Sequence, residues 1–268
     1  MRLFFAFVLS LVMLSAPAQA TVPGVSEVMT STARAGEARR VSALIIGNSY
    51  THGNNMPRMI ANIASSDAGS DVVLEIQSVT KSGGTLGSHL RDGRALKALK
   101  ARKWDYVVLQ EQSLWALRPE TVEQTAVDMR QWVDEIKKAG AKPALFITWA
   151  RQPGSFWYTD RKYAYLKSPQ YMQEQLNKNS DALARQLGLV TVRVGDAFAA
   201  AQAQNRKWPF FAADSSHPSA VGSYMAALML YKTLAKRSPE GTTHAPAGVS
   251  ADAAAQLRTI VAAMPKKK

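Results

Sequence analysis

Short apolar runs rich in Val, Ile and Leu recur along the chain, and longer segments with helical spacing of apolar residues separate them. The runs lack a strict alternation of polar and apolar positions, which is typical of strands covered on both faces of a sheet. They predict five strands, at 42–47, 72–78, 105–110, 143–149 and 189–194.

Helical segments alternate with these strands. This order favours a parallel sheet that is wrapped by helices through right-handed crossovers, so the predicted fold class is α/β. The helices are predicted near 56–67, 93–102, 119–139, 169–187, 196–205, 218–236 and 251–263.

The first residues have the pattern of a secretory signal peptide. A basic residue, Arg2, precedes an apolar stretch and an Ala-Gln-Ala cleavage site, which together predict a signal peptide at 1–20. The apolar stretch is shorter than the ~20 residues of a membrane span. We therefore expect export to the periplasm or the medium without a membrane span, a flexible leader at 21–40, and a single domain at 41–268.

Charge and composition exclude several classes of function. The chain has no cysteine, so disulfides, thiol nucleophiles and cysteine-ligated metals are excluded. The net charge is +13, with basic clusters at 91–103 and 266–268 that are typical of a solvated helix face and a frayed tail. Export argues against nucleic acid as a partner. An anionic cell-surface polymer as neighbour or substrate fits an exported basic protein.

A candidate nucleophile follows the first predicted strand. The strand ends in Gly-Asn-Ser-Tyr-Thr at 47–51, which places Ser49 at the carboxyl edge of an α/β sheet, where ligands usually bind. The preceding glycine allows a sharp turn there. A serine hydroxyl becomes a useful nucleophile when a base takes its proton, and histidine is the usual base.

Four histidines are candidates for this base. His217 is the strongest, because it follows Asp214 by three residues and precedes a predicted helix. At this spacing the carboxylate can turn back to hold the imidazole in one tautomer. His52 can line the pocket, whereas His89 and His244 are expected at the surface.

The same segment has a purely structural interpretation. Asp214, Ser215 or Ser216 can cap the following helix, with Pro218 in its first turn. Taken alone, the segment favours this structural interpretation. The presence of the serine block at 47–51 is the reason to consider a catalytic role for the segment.

Two blocks together resemble a known superfamily. Gly-Asn-Ser at the start of 47–51 and Asp-x-x-His-Pro at 214–218 resemble the SGNH (GDSL-type) esterases and lipases. The variant Gly-Asn-Ser-Tyr-Thr, with Val-Val-Leu-Gln-Glu-Gln-Ser at 107–113, is similar to a poorly characterised bacterial group of SGNH-like proteins. The resemblance spans roughly 42–236. It implies a three-layer α/β/α sandwich with about five parallel strands in a flavodoxin-like arrangement.

The resemblance also implies roles for individual residues. Ser49 would be the nucleophile and its backbone N–H one oxyanion donor. A glycine after the second strand would supply another N–H, and Gly83 fits the superfamily pattern better than Gly84. The third block departs from the superfamily's Gly-x-Asn-Asp, since this chain has Gln-Glu-Gln-Ser. A glutamine amide can donate the same hydrogen bond as asparagine, so Gln112 is the expected third donor and Gln110 the alternative.

Other chemistry has weaker support. Glu111 would need a second carboxylate facing it for glycoside hydrolysis, and none is obviously placed. The long segment 151–167 is expected to border the binding site, because loops at the carboxyl ends of parallel strands build the pocket. Its aromatic residues, together with two tryptophans elsewhere, can stack on sugars or acyl groups or pack in the core: Trp115, Trp149, Phe156, Trp157 and Tyr158.

The sequence thus predicts an exported serine ester hydrolase that needs no cofactor. Its expected substrate is an ester on a small molecule or a polysaccharide, with an acetyl group on a carbohydrate as the first choice. Two alternatives remain open. One is a carbohydrate-binding or cell-envelope protein that has kept the fold but lost turnover, and the other is a lipase-like hydrolase with a larger acyl cleft.

Overall fold

The structure is a computed structural model that describes residues 23–32, 38–204 and 208–265. All five predicted strands are present, each within a few residues of its predicted bounds, and a short sixth strand precedes them. The strands are β1 Met29–Thr30, β2 Arg39–Gly47, β3 Val72–Thr80, β4 Tyr106–Leu109, β5 Lys142–Ile147 and β6 Val190–Arg193.

These strands form one sheet in the order β1-β3-β2-β4-β5-β6. The pairs from β3 to β6 are all parallel, and only the edge strand β1 is antiparallel. Without β1, the order is that of the flavodoxin-like doubly wound fold, so the predicted fold class is confirmed.

The predicted helices are present as well, and two short ones, α1 and α3, were not predicted. No helix in the described part of the chain has both the length and the apolarity that a bilayer crossing requires. The helices are α1 Ser49–His52, α2 Met56–Ser65, α3 Leu86–Asp92, α4 Arg94–Ala101, α5 Pro119–Lys138, α6 Pro169–Leu187, α7 Val194–Gln204, α8 Ala220–Ala235 and α9 Ala251–Ala263.

Alternate side chains of β2 enter two different cores. Ala43 and Ile45 pack with residues of α2, α7, α8 and α9 on one face of the sheet. Leu44 and Ile46 pack with residues of α3, α4, α5 and α6 on the other face. The strand is buried on both sides from Val41 onward, which explains why its sequence is continuously apolar from Ala43 to Ile46. The layers are therefore helix, sheet and helix.

Part of the segment 21–40, which was expected to be a leader, pairs with the sheet. Within 21–40, Met29 pairs with Ile76 of β3, and the Ser26 N–H donates to the Ser78 carbonyl at 2.8 Å. Backbone hydrogen bonds hold the described residues around Ser26 and Met29 to the sheet edge, and the strand of two residues that they form is too short to give a sequence pattern. The predicted signal peptide at 1–20 lies outside the described residues, as does the basic cluster at 266–268.

The basic cluster at 91–103 includes α4, whose two faces differ. Ala95 and Leu99 are buried against the sheet, whereas Lys97 and Lys100 are exposed. This arrangement confirms the predicted solvated helix face.

Candidate active site

Ser49 lies at the carboxyl edge of the sheet, as the first residue of α1 directly after β2. Asn48 caps this short helix, because its side-chain oxygen accepts the Tyr50 N–H at 3.1 Å. The Ser49 N–H belongs to the first turn, where no helical carbonyl is available to accept it. A half-buried hydroxyl and a backbone donor therefore come from the same residue.

Gln110, which follows the neighbouring strand β4, holds this turn through its side chain. Its side-chain oxygen accepts the Asn48 N–H and the Thr51 hydroxyl, each at 3.0 Å. A Cβ at Gly47 would lie 2.4 Å from Thr51 Oγ1 and 2.6 Å from Gln110 Oε1. Glycine is therefore required at position 47 by close packing around the turn.

Ser49, His217 and Asp214 form a continuous hydrogen-bonded chain. The Ser49 Oγ lies 2.8 Å from His217 Nε2. The other ring nitrogen, Nδ1, faces the Asp214 carboxylate within hydrogen-bonding distance. With the proton on Nδ1, the ring donates to Asp214 and its Nε2 is free to accept the serine proton. The structure thus brings together the three residues that the sequence predicted.

Asp214 is held ionised by its surroundings. Partial desolvation opposes the charge, but hydrogen bonds from the His217 ring and from the Ser216 and His217 N–H groups outweigh it and lower the pKa of Asp214. The backbone bonds measure 3.0 Å from Ser216 and 2.9 Å from His217. A carboxylate that stays charged keeps the imidazole oriented and stabilises its protonated form.

The helix-capping interpretation expected Asp214, Ser215 or Ser216 to cap the following helix, α8, but another residue does so. Ser219 is the N-cap of α8, and its hydroxyl accepts the N–H groups of Val221 and Gly222. Asp214 accepts hydrogen bonds within its own turn and from His217, and it does not cap α8.

The loop after β3 distinguishes between the two candidate glycines. Gly84 is buried, its N–H donates to the Lys81 carbonyl at 2.8 Å, and its carbonyl accepts from the Asn48 side chain at 3.1 Å. Gly83 is exposed with φ of +66°, a conformation that favours glycine. Within the described residues its N–H has no acceptor. Of the two, Gly83 therefore has the N–H that is free for an oxyanion.

The third block likewise separates two glutamines. The Gln110 amide nitrogen donates to the Glu111 carbonyl at 2.6 Å, so the side chain is used at both ends to hold the turn. The Gln112 side-chain oxygen accepts the Leu114 N–H at 2.8 Å, which leaves its amide nitrogen free among the described residues. The geometry favours Gln112 over Gln110 as a side-chain donor.

Glu111 connects the two loops that carry these candidate donors. Its buried carboxylate accepts the Leu86 N–H at 3.0 Å and the Gln112 N–H at 2.5 Å. Burial, with a smaller contribution from Asp128, raises the pKa of Glu111 to about 7 against the effect of both hydrogen bonds. Both oxygens bind backbone, which is a positioning role and not that of an acid facing a glycosidic bond.

Sequence reasoning missed a buried network centred on Arg151. Its guanidinium donates to the Tyr50 hydroxyl at 2.5 Å and to Ser113 Oγ at 3.0 Å. The Tyr50 hydroxyl also lies 2.6 Å from Ser216 Oγ. Tyr50 adjoins the candidate nucleophile and Ser216 adjoins His217, so the network joins both chain segments of the site. In the sequence, the one sign of this network is an arginine at the start of the aromatic segment 151–167.

The other histidines take different positions. His52 Nδ1 lies 3.3 Å from Thr80 Oγ1, beside the site, and partial desolvation with a contribution from His217 lowers the pKa of His52. The surface prediction for His89 was wrong. His89 is fully buried, its Nε2 donates to the Gly47 carbonyl at 2.8 Å, and desolvation lowers its pKa. It supports the turn before Ser49 from the side of α3.

The segment 151–167 contacts the site, as predicted. Trp157 Nε1 donates to the Asp214 carbonyl at 2.8 Å, and the Trp157 ring covers the Arg151 guanidinium at 4.7 Å from its centroid. Phe156 is half-exposed next to it, whereas Trp115 and Trp149 belong to the core.

Comparisons with models of known families and with curated proteins find no match. Among solved structures, the chain is similar to a candidate SGNH hydrolase from Slackia heliotrinireducens, with 28% identity over 73% of this chain and 99% of that one and a TM-score of 0.60. It is also similar to a DUF4886 family protein from Bacteroides uniformis, with 16% identity, 84% and 94% coverage and a TM-score of 0.69. An acetylxylan esterase from Geobacillus stearothermophilus has 16% identity, 72% and 94% coverage and a TM-score of 0.54.

The sheet order, the position of the serine turn and the likeness to the candidate SGNH hydrolase support the similarity to the SGNH (GDSL-type) superfamily. The resemblance that the sequence motifs indicated is therefore confirmed.

Proposed function

We propose that this chain is a serine ester hydrolase that works through an acyl-enzyme intermediate. The observation that carries the proposal is the hydrogen-bonded chain from Ser49 through His217 to Asp214, with 2.8 Å between the hydroxyl and the imidazole. Such a chain activates a serine for attack on a carbonyl carbon.

In the first half of the reaction, Ser49 Oγ attacks the ester carbonyl and its proton passes to His217 Nε2. The imidazolium then gives that proton to the departing alcohol oxygen, which leaves an acyl group on Ser49. In the second half, water attacks the acyl carbon, His217 takes a proton from the water, and Ser49 regains its hydroxyl as the acid departs. Asp214 keeps Nδ1 protonated throughout. No cofactor takes part in these steps.

The negative charge on the carbonyl oxygen needs donors that are free before the reaction. The N–H groups of Ser49 and Gly83 and the side-chain amide of Gln112 are the three donors that we assign to this oxyanion. Fixed donors at a developing charge contribute a large part of the rate enhancement of such enzymes.

For the substrate we propose short acyl esters, with acetyl groups on carbohydrates first. The likeness to an acetylxylan esterase supports the choice at the level of the fold. The N-terminal pattern at 1–20 supports an exported enzyme, which would meet polysaccharides in the periplasm or outside the cell.

A fluorophosphonate probe tests the proposal. We expect covalent labelling of the wild-type protein, no labelling of Ser49→Ala and weak labelling of His217→Ala. A series of p-nitrophenyl esters then gives the acyl preference, and we expect acetate to be cleaved faster than long chains. A lipase-like preference would reverse that order. If the folded protein is not labelled at all, the hydrolase proposal fails and the binding-protein alternative takes its place.

A further inference from the structure

A groove lies beside the loop that carries Asp214 and His217. It consists of two adjoining cavities of about 520 Å³ and about 140 Å³. The larger one falls within the about 300–1,000 Å³ that is usual for sites of small ligands. The two cavities share five lining residues, which come from the segment after β5, from α6 and α7 and from the segment before the triad loop: Pro153, Gln170, Ala199, Gln202 and Phe211.

The groove is lined by amides and aromatic rings. Gln152, Gln170 and Gln202 line the larger cavity, and their exposed or partly exposed side-chain amides have no hydrogen-bond partner among the described residues. Each amide offers a donor and an acceptor, which matches sugar hydroxyls, since these also donate and accept. The partly exposed rings of Trp208 and Phe211 provide flat apolar faces for the C–H face of a sugar ring.

The groove and the triad share one loop. Residues 208–211 form a wall of the groove and lead directly into the turn that carries Asp214 and His217, where the Ala212 N–H donates to the His217 carbonyl at 2.8 Å. Gln152 also lines the groove, and its N–H donates to the Ser215 carbonyl at 3.0 Å. A ligand in the groove would therefore lie next to the segment that holds the base.

We propose that this groove binds the saccharide chain of an acylated polysaccharide while an ester on that chain reaches Ser49. The proposal rests on the esterase function and names the part of the substrate that lies beyond the acyl group. Sugar hydroxyls can hydrogen-bond to the three glutamine amides, whereas an alkyl chain in the same groove would make no such bonds. The lining therefore favours a saccharide over a fatty acyl chain.

The kinetic test compares two substrates of the same enzyme. Trp208→Ala, and separately the double variant Gln170→Ala/Gln202→Ala, are assayed on p-nitrophenyl acetate and on O-acetylated xylo-, manno- and gluco-oligosaccharides. On the oligosaccharide that the wild type deacetylates fastest, we expect kcat/KM to fall roughly tenfold or more in each variant. On p-nitrophenyl acetate, which has no saccharide, we expect less than about a twofold change in the double variant. Gln131→Ala, an exposed amide on α5 outside the groove, is the matched control.

A binding test separates this proposal from the esterase function. Ser49→Ala is titrated with the same oligosaccharides after removal of their acetyl groups, and binding is followed by tryptophan fluorescence and calorimetry. Binding that is lost in Ser49→Ala/Trp208→Ala and in Ser49→Ala/Gln170→Ala/Gln202→Ala supports the groove, even if the wild type cleaves no ester. The proposal would be overturned if the groove variants changed kcat/KM, relative to the wild type, by the same factor on both substrates. It would also be overturned if a protein that cleaves p-nitrophenyl acetate bound no saccharide. Either result would leave the esterase function in place.

Discussion

Ser49 Oγ and His217 Nε2 lie 2.8 Å apart although the two residues are 168 positions apart in the chain. The contact forms because Ser49 follows the central strand β2, while His217 lies in the loop before α8, which packs on the same sheet. The alcohol and the imidazole are thus within hydrogen-bonding reach before any ligand arrives. Little rearrangement is needed before proton transfer.

His217→Ala should abolish most of the turnover while the fold is kept. The side chain is partly exposed, so its loss leaves no large cavity, but Ser49 loses its base. We expect kcat on p-nitrophenyl acetate to fall by on the order of 10⁴-fold or more. The matched control is His244→Gln, since His244 contacts Ser66 and Tyr224 and no residue of the triad. Activity of His217→Ala near that of the control would contradict the assigned role.

Gln112→Ala should lower kcat and leave KM nearly unchanged. The free amide nitrogen of Gln112 is assigned to an oxyanion that exists only during the reaction, and removal of one such donor costs about 10²-fold to 10³-fold in kcat. Gln110→Ala gives a different result, because this side chain holds the Asn48 and Thr51 groups of the serine turn. We expect the Gln110 variant to lose thermal stability as well as activity. Steady-state kinetics and thermal unfolding of both variants test the distinction.

The strands and the pairing of Asp214 with His217 were predictable because their signals are local. The apolar runs are continuous from Ala43 to Ile46 in β2 and along the whole of β4, and each functional block follows directly on a strand or precedes a helix. Asp214 and His217 are three residues apart, so their pairing needs only one turn of chain. The pairing with Ser49 followed from the rule that the carboxyl ends of parallel strands share one edge.

The features that the sequence did not predict depend on contacts between distant segments, which no local pattern encodes. β1 has two residues, too few for any periodicity, and α3 has seven, so the burial of His89 had no helical stripe to indicate it. Arg151 is buried by Tyr50, which comes from a distant part of the chain, and by Trp157, six residues further along its own segment. The choice between Gln110 and Gln112 depended on the hydrogen bonds that each amide makes after β4 ends.

Tyr50→Phe should show that the hydroxyl network positions the site. The ring stacks on Trp149 at 4.7 Å, and phenylalanine keeps this stacking while the partner of Arg151 and Ser216 is removed. We expect the free energy of unfolding to fall by about 1–3 kcal/mol, because buried donors are left unpaired. We also expect kcat to fall roughly tenfold, because the network no longer fixes the segments of the nucleophile and the base.

The control for this variant is Tyr165→Phe, whose ring lies under Arg118 and whose hydroxyl has no hydrogen bond among the described residues. Its stability and kcat should remain near those of the wild type. Arg151→Met completes a double-mutant cycle with Tyr50→Phe, and the second substitution should cost less in the presence of the first. Fully additive effects on kcat would mean that the two residues do not act through one network.

Glu111 should make the protein less stable as the pH rises from about 4.5 to about 7. Burial raises the pKa of this carboxyl to about 7 in the folded chain, compared with 4.5 for a free glutamate. Between these values the folded state binds more protons than the unfolded state, so the free energy of unfolding falls with increasing pH. The total fall from this one group is about 3 kcal/mol, and it is complete once the pH exceeds the folded-state pKa.

Glu111→Gln removes this titration, because an amide does not ionise in the same range. The variant loses stability at every pH through its altered hydrogen bonds to Leu86 and Gln112. Its free energy of unfolding, measured in urea from pH 4.5 to 8, should nevertheless fall less steeply than that of the wild type. Glu120→Gln, at an exposed position on α5, should keep the wild-type slope. Equal slopes for the Glu111 variant and the wild type would mean that the carboxyl ionises at its ordinary pKa, and that the two loops are held by a charge at all these pH values.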